Sequence, residues 1–420
     1  MWNCIFKKSL FVVIILLIVT TPLLPICNPI SCSRINLNTE KKGGTTAVSN
    51  FDQKITFYMK LGHMPSLSAC IIKNNSVKWS NAYGDADREA LMGATPDTIY
   101  MVASISKSIC AVAVMQLLEH KLIRSLDDDV NTYLDFRLRN PNYPAVNITF
   151  RMLLAHQSSL TSDDIVMFIS FSLLGYPRAW LKEFLVSDGR FYTPLIWLKY
   201  PPGQEENYSS LNYEILAYLV ERISQQPYEQ YVKTHIFQPL NMSSTCYSLS
   251  ELKYTRLAVP YIWVAGRYIR LPFYENHNAG AGGVKSTVLD LAHFLILHMN
   301  GGVYNGTRIL NSTSINEIHR SQYPFPSENN LSMGLGWYSF NGSDGNMYGG
   351  HDGAILGGRS VMRMRYKDNI GVIFFYNQFQ PVVNRETCSP VRIVAYMTGQ
   401  IEKFARKTIE QMLFEKAELL

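Results

Sequence analysis

Apolar and polar positions recur with different periods along the chain, and the period assigns the elements. The run SLFVVIILLIVTTPLLPI at 9–26 carries no charge and follows Lys7 and Lys8. This is the arrangement of a signal peptide or an uncleaved signal anchor. Residues 1–32 therefore read as a leader that sends the rest into the secretory pathway, secreted or membrane-anchored, with the body of the chain extracellular or lumenal. Residues 33–50, SRINLNTEKKGGTTAVSN, have no apolar period and read as a linker. Two β-rich runs in SLSACIIKNNSVKWSNAYG meet at Asn74 and Asn75, which predicts an antiparallel hairpin. The following DTIYMVASISKSICAVAVMQLLEH is apolar on all sides, as a buried helix is.

From NITFRMLLAHQSSL to about residue 275 the patterns are helical or irregular. YEILAYLVERISQQPYEQYVKTHIF gives two amphipathic helices split near Pro227, and Ile165–Tyr176, too short to cross a bilayer, gives a buried helix. A further helical segment ends with NAGAGGVKSTVLDLAHFLILHM. SMGLGWYSF, GNMYGGHDGAILGGRSVMRMR and NIGVIFFYNQ then have strand character with Gly-rich turns, and an amphipathic helix runs from about Val391 to Leu419. Strands from both ends with helices between them predict an α/β (α+β) chain. Its antiparallel sheet is built from both chain ends and flanked by helices, with a mostly helical insert at about 130–275.

Composition narrows the function classes. The chain has 47% hydrophobic and 17% charged residues, as a folded globular protein does. Its net charge of +6 is concentrated in residues 1–50, where five Lys or Arg face one Glu, so the remaining 370 residues carry only +2. No basic stripe for nucleic acid is present. Asn-x-Ser/Thr sequons begin at Asn74, Asn147, Asn207, Asn241, Asn305, Asn311, Asn330 and Asn341, which fits a eukaryotic secretory route and glycosylation. Cys4, Cys27 and Cys32 belong to the leader region, and Cys70, Cys110, Cys246 and Cys388 to the body, without metal-ligand spacing. Cys110 reads as core, and a bridge among the other three fits an oxidising compartment. Asp127–Asp129 reads as a helix cap, so neither a metal nor a cofactor is expected.

Candidate chemistry starts at Ser104 and Lys107, three apart at the head of the buried helix and so on one face of it. A serine hydroxyl becomes a nucleophile when a neighbouring base takes its proton, and a lysine kept out of water is such a base. The helix N-terminus offers backbone N–H groups to a developing oxyanion. The same spacing recurs at Ser250 and Lys253, so downstream partners must decide. Two motifs supply them: PPGQEENYSS, with Tyr208 and Ser210 ahead of a helix, and YGGHDGAILGG, with His351 and Gly353 on a glycine-flanked strand.

With S-x-x-K at Ser104, Y-x-S at Tyr208 and H-x-G at His351 in this order, the chain resembles the serine β-lactamase family of the class C type, in an esterase-like and eukaryotic-like form. That family includes penicillin-binding proteins, esterases and D-amino-acid peptidases. The resemblance covers about residues 51–400, leaving 401–420 as a C-terminal helix, and implies a β-lactamase/transpeptidase-like fold. It implies that Ser104 attacks a carbonyl while Lys107 and Tyr208 share its proton, and that the N–H groups of Ser104 and Ala354 hold the oxyanion. Ser210 replaces the more usual Asn on the substrate's acyl side, and His351 replaces a charged lysine. Asp352 stands where relatives usually carry a Thr or Ser hydroxyl that binds a β-lactam carboxylate. It is expected to face the site and repel carboxylates, or else to turn away and pair with an arginine such as Arg359. Asn207 sits where a glycan would block this site, and His156 reads as structural.

The expected function is that of an exported serine hydrolase cleaving an ester or amide, whether a small ester, a peptide or an acylated substrate, through an acyl-enzyme on Ser104. The alternatives are a catalytically silent binding or scaffold protein, and a true β-lactamase or D-Ala carboxypeptidase. The partner in the leading reading is a small-molecule or peptide substrate, with residues 9–26 as a membrane tether.

Overall fold

Asn74 and Asn75 both adopt φ of 53°, the left-handed conformation that a two-residue type I′ turn requires at both central positions. They join β1 (Ser66–Lys73) to β2 (Ser76–Asp87), and β3 (Met92–Gly93) follows. The computed structural model describes residues 49–161, 177–252, 256–264, 266–322, 331–379 and 390–420, without the side chains of 390–397. The expected leader, the linker up to residue 48, the Ile165–Tyr176 helix, Asn330 and Cys388 lie outside the described residues. Met1–Asn50 and Phe51–Leu420 are separate units, and every strand among the described residues belongs to the second. Among the described residues no helix is long and apolar enough to cross a membrane.

The remaining strands of the main sheet come from the other end of the chain: β4 (Leu331–Met333), β5 (Tyr338–Asn341), β6 (Met347–Ile355), β7 (Gly358–Arg365) and β8 (Ile370–Tyr376). The order is β4-β5-β6-β7-β8-β1-β2-β3, antiparallel throughout. The two chain ends meet where β1 pairs β8, from Leu67 opposite Tyr376 to Lys73 opposite Ile370. The mixed fold with a sheet built from both ends is therefore as expected. SMGLGWYSF, read as one strand, is divided between β4 and β5. The middle region also holds an unforeseen ribbon, Tyr261–Val264 with Arg267–Arg270.

Period-two alternation sends the sheet's apolar residues to both faces. Val372, Phe374 and Tyr376 of β8 pack with Leu67 and Ile71 of β1, with Ile55 and Met59 of helix α1 (Asn50–Leu61), and with Ala405, Ile409 and Leu413 of the C-terminal helix Pro390–Leu419. Ile373 and Phe375 point the other way, into the larger core around α2 (Ser106–Glu119), α3 (Ser210–Ser224) and α4 (Val288–Met299). The C-terminal helix is α5. Phe374 and Phe375 are both fully buried, each stabilising the sheet by roughly 2–3 kcal/mol. From Ser106 to Leu117 every residue of α2 is buried, and this holds the helix that follows Ser104 rigid.

Cys70, Cys110 and Cys246 are free thiols, so no bridge joins Cys70 to Cys246. Asp129 caps the short 3-10 turn Val130–Thr132 and pairs with Arg139, Asp127 pairs with Arg151 and Asp128 with Arg124, so all three acidic residues of this run hold arginines.

Candidate active site

Ser104 lies in the 3-10 turn Ala103–Ile105 that leads into α2. The turn starts at a corner, because Ala103 adopts φ of +48°, which for a residue with a Cβ costs on the order of 1–2 kcal/mol. Its carbonyl accepts a 2.7 Å hydrogen bond from Ser106 Oγ, and Val102 just before it is tied on both sides. Val102 N donates to Val284 O at 3.0 Å, and its carbonyl accepts from Ser360 Oγ at 2.7 Å.

Lys107 is fully buried and donates to Ser104 Oγ at 3.1 Å and to Ala281 O at 2.9 Å. The first of these contacts is short enough for a neutral amine there to accept a proton from the serine hydroxyl. Lys107 has no ion pair among the described residues. Its Nζ instead lies 4.9 Å from the Tyr208 ring centre and 5.7 Å from that of Tyr213, where ring faces offer a weak substitute for a counter-ion.

Tyr208 rides on the loop before α3. Gly203 N donates to Gln157 O, Asn207 N to His156 O and Ser209 N to His156 Nδ1. The last bond makes Nδ1 an acceptor and leaves the imidazole proton on Nε2. The His156 ring centre lies 4.4 Å from that of Tyr208. Burial first, and then the charge of Lys107, push His156 well below the usual histidine range. It is a neutral prop beneath the tyrosine, in line with its reading as structural. Ser210 opens α3, half-buried, and its neighbour Ser209 is the one turned inside.

His351 comes from β6. β5 pairs with β6 only as far as Gly350, and beyond that point β6 runs alongside the Ser104 turn. Gly353 permits the approach: a Cβ there would lie 2.2 Å from Val102 O and 2.2 Å from Ser360 Oγ. Ala354, the expected second oxyanion donor, is exposed at the end of this stretch. His351 Nδ1 donates to Asp352 O at 2.6 Å, so its buried Nε2 is an acceptor without a partner among the described residues. Burial, then Lys107, lowers its pKa to about 3, so His351 is uncharged at neutral pH.

One residue, Tyr338 of β5, was not anticipated. Its ring centre lies 4.4 Å from that of His351, and burial first, then the neighbouring Tyr208, hold its hydroxyl well above the usual tyrosine pKa. The available signal was the turn at Gly342–Gly345, which folds β5 back beside β6.

Asp352 corrects the expectation that it faces the site. Alternation along β6 sends it to the opposite face of the sheet from His351. There Arg363 Nη2 meets its Oδ1 at 2.5 Å and Arg406 Nη1, from α5, its Oδ2 at 3.5 Å. Burial opposes its charge, but the two arginines outweigh it and hold the carboxyl below its usual pKa. Arg359, suggested as the partner, lies over the Phe379 ring instead.

A family model described as beta-lactamase matches residues 51–396. The chain belongs to the beta-lactamase family. Among relatives of this family, Protein flp of Staphylococcus aureus strain MW2 is 25% identical over 337 residues, 78% of this chain and 62% of that protein. The chain thus spans less than two thirds of that relative's length. An octameric penicillin-binding protein homologue from Pyrococcus abyssi has 26% identity and a TM-score of 0.65, covering 84% of this chain and 77% of its own. The D-amino acid amidase of Ochrobactrum anthropi SV3 shares the fold with a TM-score of 0.63 at 20% identity, covering 88% of this chain and 100% of its own. The fold is that of the family's serine hydrolases.

Two histidines held neutral, the buried His351 and the half-buried His319, are expected to make this member of the beta-lactamase family acid-sensitive. His351 and His319, the latter stacked 4.5 Å from Trp337 and bonded to His298 at 3.1 Å, both have pKa values lowered to about 3, chiefly by burial. The unfolded chain takes up these protons near pH 6.5 and the folded chain only near pH 3. Their stability contribution is therefore intact above pH 6.5 and falls between those limits by about 1.4 kcal/mol per pH unit for each histidine. Chemical denaturation at pH 7.5 and pH 5 is expected to show a markedly lower midpoint at pH 5. Equal midpoints would contradict neutral burial of this pair.

Proposed function

We propose that the chain is an exported serine hydrolase that cleaves a neutral ester or amide through an acyl-enzyme on Ser104. The observation that carries this reading is the 3.1 Å contact from the buried Lys107 Nζ to Ser104 Oγ, with the Tyr208 ring centre 4.9 Å from the same nitrogen. Ser104 Oγ attacks the substrate carbonyl as its proton passes to the neutral amine of Lys107, with Tyr208 as the second proton carrier. The backbone N–H groups of Ser104 and Ala354 stabilise the oxyanion. Collapse of the tetrahedral intermediate expels the alcohol or amine, which takes the proton. Water then attacks the acyl ester, giving up a proton along the same route, and Ser104 is regenerated.

The preference for a neutral acyl group follows from what surrounds the serine. His351 offers an uncharged acceptor nitrogen where a lysine would attract a carboxylate, and Asp352 supplies no hydroxyl there because it is turned away. Export is supported by residues 9–26 as signal or tether and by the sequons. Of the sequon asparagines, Asn74, Asn147, Asn241, Asn305, Asn311 and Asn341 are exposed and suit glycosylation. The test compares a neutral p-nitrophenyl ester with a chromogenic cephalosporin. The ester is expected to turn over with a kcat/KM at least about a hundredfold higher, equivalent to roughly 2.7 kcal/mol of transition-state discrimination. Equal or faster cephalosporin hydrolysis would reverse the assignment of substrate class.

A further inference from the structure

Two helices on the sheet face remote from Ser104 share an exposed patch that the fold does not use. On α1, Phe57 is 60% exposed, and on α5, Phe404 is 57% and Ile401 is 37% exposed. Tyr58 joins them: its ring centre lies 5.2 Å from that of Phe57 and 6.2 Å from that of Phe404. Lysines stand one helical turn away, Lys54 and Lys60 on either side of Phe57, Lys407 beyond Phe404, with Lys403 beside it. The carboxylates of these segments are withdrawn. Glu402 is buried against Tyr376, and Asp52 accepts from Tyr83, so every exposed charge in 50–61 and 400–408 is a lysine.

We propose that this patch docks on an anionic lipid surface, with Phe57, Ile401 and Phe404 dipping into the headgroup boundary and the four lysines pairing with lipid phosphates and carboxylates. Aromatic and aliphatic side chains ringed by lysines, with exposed acids excluded, match the chemistry of that boundary. The chain outside the described residues points to the same occupant. The apolar run 9–26 ends 24 positions before Asn50, where α1 starts, so no more than about 85 Å of extended chain separates them. This part of the argument rests on the tether reading. A tether keeps the patch at high effective concentration near the bilayer, where each lysine strengthens attraction to an anionic surface by roughly fivefold.

The test uses the full chain reconstituted into vesicles whose acyl chains are brominated, made of phosphatidylcholine alone or with about 30% phosphatidylserine, a fraction chosen to give a clearly negative surface. Phe57→Trp and Phe404→Trp are compared with wild type, so the added tryptophan emission is read against the native background. The added emission is expected to be quenched in the phosphatidylserine vesicles. That quenching is expected to vanish when Lys54, Lys60, Lys403 and Lys407 are all replaced by Gln. No added quenching in phosphatidylserine vesicles that carry the chain would overturn the proposal, as would a concentration-dependent dimer that protects the new tryptophans without lipid. A chain that fails to float with phosphatidylcholine alone contradicts the tether and not the patch, because flotation with phosphatidylserine still reads the patch.

Discussion

Lys107→Met is expected to fold at least nearly as well as wild type and to lose hydrolysis by about three orders of magnitude or more. A positioned base contributes roughly 10²–10⁴ in rate, and groups that act as a unit with a nucleophile cost more when removed. The stability side runs the other way. Whenever the amine carries a proton, the charge at this fully buried position has no ion pair among the described residues, and only Ser104 Oγ, Ala281 O and two ring faces compensate its desolvation. Methionine fills a similar volume and removes the charge, at the cost of leaving Ala281 O without this donor, about 1–2 kcal/mol. Thermal melting and steady-state rates of the purified variant check both halves. Turnover within tenfold of wild type would mean that Lys107 is structural.

Asp352→Ala is expected to destabilise the protein by about 2–4 kcal/mol, because it strips a partner from two largely buried arginines. Arg363 and Arg406 have side chains only 7% and 12% exposed. They keep weaker contacts, Arg363 to Glu410 at 3.5 Å and Arg406 to Glu402 at 3.8 Å, so the loss stays below that of a wholly isolated buried charge. The substitution also loosens α5 from the strand that carries His351. Asp352→Thr is expected to leave the ratio of ester to cephalosporin hydrolysis unchanged, since the side chain lies behind the sheet. A ratio that moves tenfold toward the cephalosporin would show that Asp352 reaches the substrate.

Much of the fold was legible wherever one local rule acts alone. Asn74 and Asn75 announce their hairpin because few other residues tolerate two successive left-handed positions, and the all-round apolar pattern of 106–117 announces a buried helix. The placing of Lys107 near Ser104 was legible too, since a spacing of three on a helix is itself a distance. Asp352 shows where this reasoning stopped short. Period two along β6 already separates it from His351 and Gly353, but nothing near it in sequence reveals that Arg363 and Arg406 wait behind the sheet. Tyr338 and His156 are harder cases. Each reaches Tyr208 only after the middle region has folded back on the sheet, and that closure is set by the packing of α2, α3 and α4, which no local pattern specifies. The ribbon at Tyr261–Arg270 was hidden by its setting, an alternating segment inside a region otherwise helical, turning at Gly266 with φ of +81°.

The central claim is that Ser104 becomes covalently acylated, and one measurement addresses it directly. Full-length protein is treated with a fluorophosphonate, digested, and its peptides are sequenced by mass spectrometry. The adduct is expected on Ser104 in the peptide that contains MVASISK, in wild type only, with Ser104→Ala unlabelled and still folded. An adduct on another serine, or equal labelling of Ser104→Ala, would contradict the account.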